Sequence, residues 1–236
     1  MNFEELVSKR AIGQDEPKDY CAWAEALLYT DVESENIPIL ASMGYERDPE
    51  KEDIEKYFQK SLKDLKLEIP SNENGIKLYA TLTIEKLLDG KITPFECVAK
   101  MEKLFSLTDY DPKYGIWDYL SEDISMLEYD GVCYFNTGLD KSNMANYIRK
   151  VAKQFLEILP MELPEYFFKL CACKTCGYIG ESNTERAEKI WIPERIFRLI
   201  YGRYPASKAV CAKCGAQYPS NMVDYSARSI YLESKC

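Results

Sequence analysis

Cys173-Lys174-Thr175-Cys176-Gly177 and Cys211-Ala212-Lys213-Cys214-Gly215 repeat one pattern, Cys-x-x-Cys-Gly, with 34 residues between Cys176 and Cys211. Two residues between cysteines let a single tight turn offer both sulfurs to one ion, while backbone amides of the turn point at those sulfurs. The trailing glycine takes the positive φ by which the chain leaves the turn. Two such turns read as a tetrahedral site of four thiolates for zinc, with Cys173, Cys176, Cys211 and Cys214 as ligands. Four sulfurs fill the coordination sphere, so the expected Zn²⁺ is structural and leaves no position for water or substrate. A small module with little core gains from such an ion, because structural zinc contributes roughly 10–16 kcal/mol of apparent binding energy to folding.

The chain has nine cysteines and no histidine. Lack of histidine excludes Ser-His-Asp and Cys-His catalytic sets and histidine-ligated metals. Of the other cysteines, Cys171 reads as a strand neighbour of the first ligand. Cys21 and Cys97 read as small core residues of helices, Cys133 as a loop residue and Cys236 as a free thiol. The odd count argues against a fully paired disulfide framework. The acidic start, Met1-Asn2-Phe3-Glu4-Glu5, lacks the basic and apolar parts of a signal peptide, and no apolar run reaches the length of a membrane span. A cytoplasmic location is the expectation.

Each Cys-x-x-Cys-Gly turn resembles the knuckle of zinc ribbons and of rubredoxins, and the stretch from Cys173 to Gly180 is particularly similar to the first rubredoxin knuckle. The resemblance covers Cys173, Cys176, Gly177, Cys211, Cys214 and Gly215. A rubredoxin-like carrier would hold iron and transfer electrons. The chain departs from rubredoxins in its connecting region, and in Ala212 where a proline is usual, so zinc rather than iron is the expectation.

Outward from the cysteines toward the N-terminus, the sequence reads as helices. Tyr20, Trp23, Ala24, Leu27 and Leu28 recur at helical spacing after Pro17, a residue tolerated in a first turn. Ser34 can cap a short helix carrying Ile37, Leu40 and Ala41. Asp48-Pro49 opens a longer one with Ile54, Tyr57, Phe58, Ser61, Leu62 and Leu65 on one face. Residues 73–89 form the next, stopped by Gly90. Thr93-Pro94-Phe95-Glu96 is a capping box whose helix is expected to bury Phe95, Val98, Ala99 and one of Leu104 and Phe105. Ile116, Leu120, Ile124 and Leu127 mark a further helix. The clearest stripe runs from Met144 through Tyr147, Ile148, Val151, Ala152, Phe155 and Leu156 to Leu159, capped by Asp140 and ended by Pro160. These faces are read as helix-on-helix core.

Pro160 to Pro164 reads as a domain joint. Beyond it, Tyr166, Phe167, Phe168, Leu170 and Ala172 favour a strand into the first turn, and Tyr178 to Gly180 completes a hairpin, with Ala216 to Pro219 as the counterpart after the second turn. Between the turns, Pro193 to Gly202 reads as a helix with Ile196, Phe197 and Ile200 inward, a strand being the alternative. The fold expected is mainly α: a multi-helix acidic domain over 1–160, followed by a small zinc-ribbon-like α+β domain over 161–236.

Charge divides along the same line. Residues 1–160 hold 19 Lys+Arg against 31 Asp+Glu, and residues 161–236 hold 11 against 8. An acidic body repels nucleic acid and attracts basic partners. In the tail, Arg195, Arg198 and Arg203, with Lys174, Lys213, Tyr201, Tyr204 and Tyr218, form the candidate nucleic-acid surface. Asp109, Asp111 and Asp118 surround one turn and read as turn formers and caps, with a hard cation the alternative. No phosphate-binding glycine motif is present.

Residues 20–28, 34–43 and 87–94 together make the N-terminal part similar to some uncharacterised bacterial cytosolic helical proteins, several of which look like immunity or stress-associated factors. The resulting expectation is a non-catalytic zinc protein acting by binding a protein partner, an immunity or inhibitor-type role against a basic toxin. The alternatives are a nucleic-acid-associated zinc-ribbon protein and a rubredoxin-like redox carrier.

Overall fold

The computed structural model describes residues 1–46, 49–187 and 192–235. It is mainly helical, with small antiparallel sheets in the C-terminal part. The chain separates into two compact units, Met1–Ile92 and Thr93–Cys236. Residues 160–164, read above as the joint, lie inside the second unit. Among the described residues no helix is long and apolar enough to cross a membrane.

The first unit contains α1 (Phe3–Ala11), α2 (Pro17–Leu27), α3 (Asn36–Ser42), α4 (Lys51–Leu65) and α5 (Asn72–Leu88), with a 3₁₀ turn at Met43–Tyr45. Local chemistry sets the starts. Asn2 and Glu5 form a capping box on α1, and Pro17 occupies the first turn of α2. The Ser34 hydroxyl accepts from the backbone N–H groups of Asn36 and Ile37, so it caps α3 as its sequence suggested. Asp48, expected to open α4, lies outside the described residues. The core gathers Leu6, Tyr20, Trp23, Leu40 and Phe58. The Phe58 ring meets Tyr20 at 4.8 Å and Trp23 at 5.3 Å, both edge-on. At this core's edge Arg10 donates to both Glu55 oxygens, at 2.6 and 3.1 Å, and to the Tyr20 hydroxyl at 2.8 Å. Helices α1 and α5 pack so closely that a Cβ on Gly75 would sit 2.5 Å from the Ala11 Cβ.

The second unit opens with α6 (Pro94–Leu107), α7 (Pro112–Tyr129) and α8 (Met144–Ile158). The Thr93–Glu96 capping box forms as the sequence indicates. The buried face of α6 is Pro94, Cys97, Val98, Met101 and Leu104, whereas Phe95 and Ala99 are exposed. The helix is thus turned from its expected register, because Cys97 and Met101, weak markers of a core face, supply the inward positions. Ile116, Leu120, Ile124 and Leu127 all point inward on α7. Trp117 of α7 meets Phe155 of α8 edge-on at 5.6 Å.

Residues 130–143 are an irregular connection organised by one buried carboxylate. Asp123 accepts from the backbone N–H groups of Tyr134, Phe135 and Asn136 and from the Asn136 side chain. Asp140 accepts from the N–H groups of Ser142 and Asn143, which turns the chain into α8.

After α8 come a 3₁₀ turn (Phe167–Lys169), β1 (Cys171–Ala172), β2 (Ile179–Gly180), β3 (Ser182–Arg186), α9 (Glu194–Tyr201), β4 (Ser207–Cys211), β5 (Ser220–Asn221) and α10 (Tyr225–Glu233). The strand expected over 166–172 shrinks to its last residues. Phe167 is instead buried through the 3₁₀ turn in a small core with Ala172, Met222, Ala227 and Tyr231. Strand β1 pairs antiparallel with β2 and β5, while β3 pairs with β4 from Ser182↔Cys211 to Arg186↔Ser207. In α9 Phe197 is buried, but Ile196 and Ile200 face solvent, contrary to expectation. Phe197 is held between Arg186 and Arg203, whose guanidinium groups lie 4.9 and 5.3 Å from its ring centroid. Fully buried Arg228 of α10 donates to Gln154 of α8 at 2.8 Å and to the carbonyls of Met222 and Val223. The Gln154 amide in turn donates to the Tyr225 carbonyl at 3.1 Å.

Candidate metal centre

The two cysteine turns are built alike. The Gly177 N–H donates to the Cys173 carbonyl at 2.8 Å, and the Gly215 N–H donates to the Cys211 carbonyl at 2.9 Å. The Cys173 N–H donates across to the Tyr178 carbonyl, and the Cys211 N–H to the Ala216 carbonyl. Gly177 and Gly215 have φ of 67° and 72°. A Cβ at either would meet nothing within 4 Å, so the glycine is required by backbone angle and not by space. The first turn links β1 to β2, and the second links β4 to β5.

This arrangement brings Cys173, Cys176, Cys211 and Cys214 together, with every sulfur within 4.8 Å of every other. Cys173 Sγ lies 3.6 Å from Cys214 Sγ, and Cys176 Sγ lies 3.7 Å from Cys211 Sγ. A tetrahedron with metal–sulfur bonds of about 2.3 Å has sulfur–sulfur edges of about 3.8 Å. The donor set and its spacing therefore fit a single ion of zinc's size. All four cysteines are unbridged. Cys173 and Cys211 are buried, Cys176 is half-buried and Cys214 is exposed.

The electrostatics suit a cation. Burial opposes ionisation of Cys173, but the backbone N–H groups of Cys176 and Thr175 and the neighbouring thiols together bring it down to about 6. Cys214 goes the other way, up to about 12. The Ala216 N–H favours its thiolate, but Cys176 and burial outweigh it, since a second negative sulfur at this distance is unfavourable without a metal. A divalent ion removes that conflict and holds all four sulfurs ionised.

The remaining cysteines stand apart from this group. Cys171 sits in β1 opposite Gly180 and Asn221, the strand neighbour its position suggested. Cys97 is buried in α6, and burial pushes its thiol up to about 12. Cys21 is buried in α2, and the half-buried Cys133 donates to the Asn136 carbonyl. Cys236 lies outside the described residues. Asp111 caps α7 by accepting from the Lys113 N–H, and the four cysteines are the metal-capable group among the described residues.

Arg195 is exposed on α9. Arg198 donates to the Tyr204 hydroxyl at 2.8 Å and stacks over its ring. Sequence reading missed the buried polar group that fastens α10 to α8, which is Gln154, Asp224 and Arg228. Only Asp224, which accepts from the Ser226 N–H at the start of α10, carries a local signal, that of a helix cap. No family model, curated protein or solved structure matches the chain.

Proposed function

We propose that this is a non-catalytic zinc protein in which Cys173, Cys176, Cys211 and Cys214 hold a structural Zn²⁺, and that it acts by binding a basic protein partner in a bacterial cytosol, as an inhibitor-type or immunity protein does. The observation that carries the metal is the four-sulfur cluster at tetrahedral spacing. Such a site is closed, so its contribution is to shape and not to chemistry.

The partner reading rests on where the charge lies. Residues 1–92 hold 12 Lys+Arg against 20 Asp+Glu, and residues 93–236 hold 18 against 19. The excess is concentrated in the first 50 residues, with 4 against 12. There Asp31, Glu33, Glu35 and Glu46 are exposed beside Tyr29 and Tyr45, each more than four-fifths exposed. Exposed tyrosines among carboxylates offer contact area together with electrostatic steering of a positive surface. The nucleic-acid reading has less support, since Arg198 is engaged by Tyr204 and Arg203 lies over Phe197.

Elemental analysis of the purified protein should give one zinc per chain and no colour. Red protein containing iron would replace this reading with the redox one. Capture from source-cell lysate at low salt should recover a basic protein, and Glu33→Lys/Glu35→Lys should abolish the capture. Recovery of no protein, or of nucleic acid in a salt-sensitive manner, would overturn the partner reading.

A further inference from the structure

The connection over 130–143 and the segment after the second cysteine turn border a cleft of about 400 Å³. Its aromatic lining is Tyr119, Tyr134, Phe135, Phe168 and Tyr218, and Asp224 is the charged residue among those that line it. The Tyr119 ring stands 4.9 Å from Phe135 and 5.3 Å from Phe168, edge-on to the latter. Tyr134 and Tyr218 are 62% and 70% exposed, so their rings are open to an incoming group. Tyr218 takes φ of 56°, a left-handed conformation that is unfavourable for a bulky residue. Its N–H donates to the Ala209 carbonyl at 2.9 Å, which fixes that turn.

Charge behind the cleft is negative. Asp224 is buried, accepting from the Ser226 N–H and hydroxyl at 2.6 and 2.7 Å and from the Thr137 N–H at 3.1 Å. Asp123, fully buried, holds the backbone of Tyr134 and Phe135 and so places both rings. Buried Arg228 lies in the field of Asp224, and its hydrogen bonds go to Gln154 and to the Met222 and Val223 carbonyls. Among the described residues, no lysine or arginine lines the cleft. Aromatic faces are the negative part of a ring's quadrupole, so rings lining a cleft with a carboxylate select a cation over an anion. A hard metal ion would need six or more oxygen ligands, which these rings do not supply. The chemistry that fits is a cation with an apolar outer surface.

We propose that this cleft binds an organic cation, an alkylated ammonium or a guanidinium, carried by a free small molecule or by a side chain of a basic partner. In the second form it rests on the partner reading above and names where one cationic side chain is seated.

The test is an NMR titration of the full-length, zinc-loaded protein, following the ring resonances of Tyr134 and Tyr218. The probes are choline, N-acetyl-argininamide, a short arginine-rich peptide and 3,3-dimethylbutanol, the uncharged counterpart of choline. At least one cationic probe should shift both rings saturably, and the neutral alcohol should bind about tenfold more weakly. Tyr134→Ala should weaken the cation about fivefold, a loss within the cation–π range. Tyr218→Gly removes the second ring while easing its backbone, so weakened binding there cannot be ascribed to unfolding. Tightest binding by choline assigns the small molecule, and tightest binding by the peptide assigns the partner side chain. Absence of shifts from every cation, or equal binding of the neutral alcohol, overturns the proposal. That outcome leaves the partner reading standing if a basic protein is still captured through Glu33 and Glu35. Cation binding without any captured protein defeats the partner reading alone.

Discussion

Stripping the metal with a chelator, or removing one ligand by Cys211→Ser, should open the segment between β1 and β5 while α6, α7 and α8 stay folded. An ion held by the four cysteines would tie two turns separated by 34 residues. Chain-entropy arguments put a cross-link of that span at about 4 kcal/mol, and ligation itself brings the apparent contribution of a zinc site to roughly 10–16 kcal/mol. Little else holds the segment. Its strands are two to five residues long, and α9, with eight residues, buries one large side chain, Phe197. By contrast, the small core of Phe167, Ala172, Met222, Ala227 and Tyr231 lies outside the closed loop, as do the bonds of Arg228 to Gln154, Met222 and Val223.

Far-UV circular dichroism should therefore lose no more helix than the eight residues of α9. Amide hydrogen exchange should show the change where circular dichroism does not. The N–H groups of Cys173, Gly177, Cys211 and Gly215, each bonded within a turn, should lose protection, whereas those of Phe135 and Asn136, bonded to Asp123, should keep it. Unchanged protection of the four turn amides after verified metal removal would refute the view that the ion holds this segment. Loss of α6–α8 along with the turns would refute the claim that α10 is anchored independently of it.

Arg228→Ala should destabilise the second unit by about 2–4 kcal/mol in urea melts, because it leaves Gln154 and two carbonyls buried without their donor and opens a cavity, and Arg228→Lys should recover little of that loss. Gly75→Ala should cost about 1–3 kcal/mol by driving a methyl into Ala11, and Ala11→Gly in the same chain should restore most of it. The Arg10 guanidinium holds the Glu55 carboxyl below its usual range. Its contribution is present above the unfolded carboxylate pKa and is lost as pH falls through the lowered folded value. Glu55→Gln should thus cost up to about 1 kcal/mol near pH 7, with the difference from the parent protein vanishing in acid melts.

Most of the helices were legible because their faces are written in large apolar residues at regular spacing. The stripe from Met144 to Leu159, of which Tyr147, Ile148, Val151, Ala152, Phe155 and Leu159 are buried, and the Thr93 capping box are examples. The four-cysteine cluster was legible for a different reason, since its geometry is encoded in two short turns that share one Cys-x-x-Cys-Gly pattern. What escaped was short or polar. Helix α1 is nine residues with few apolar positions, and its Asn2–Glu5 capping box was the one local signal for it. The outward turn of Ile196 and Ile200 follows from two arginines clasping Phe197, a contact that no periodicity displays.

The placement of 160–164 within the second unit has the same origin. A composition change at Pro160 is real, but Arg228 and Gln154 are 74 residues apart in sequence, and nothing local announces that they meet. Their bond fastens α10 to α8, so the chain leaves the helical layer to build the cysteine turns and then returns to it. The four-sulfur site is consequently an excursion held at both ends, by β1 next to the Phe167 core and by α10 beyond β5. An ion in that position need not organise the whole unit. Bound there, it would fix the Tyr218 segment that follows Cys214, and with it one wall of the aromatic cleft, so any cation bound in the cleft should lose affinity when the metal is withdrawn.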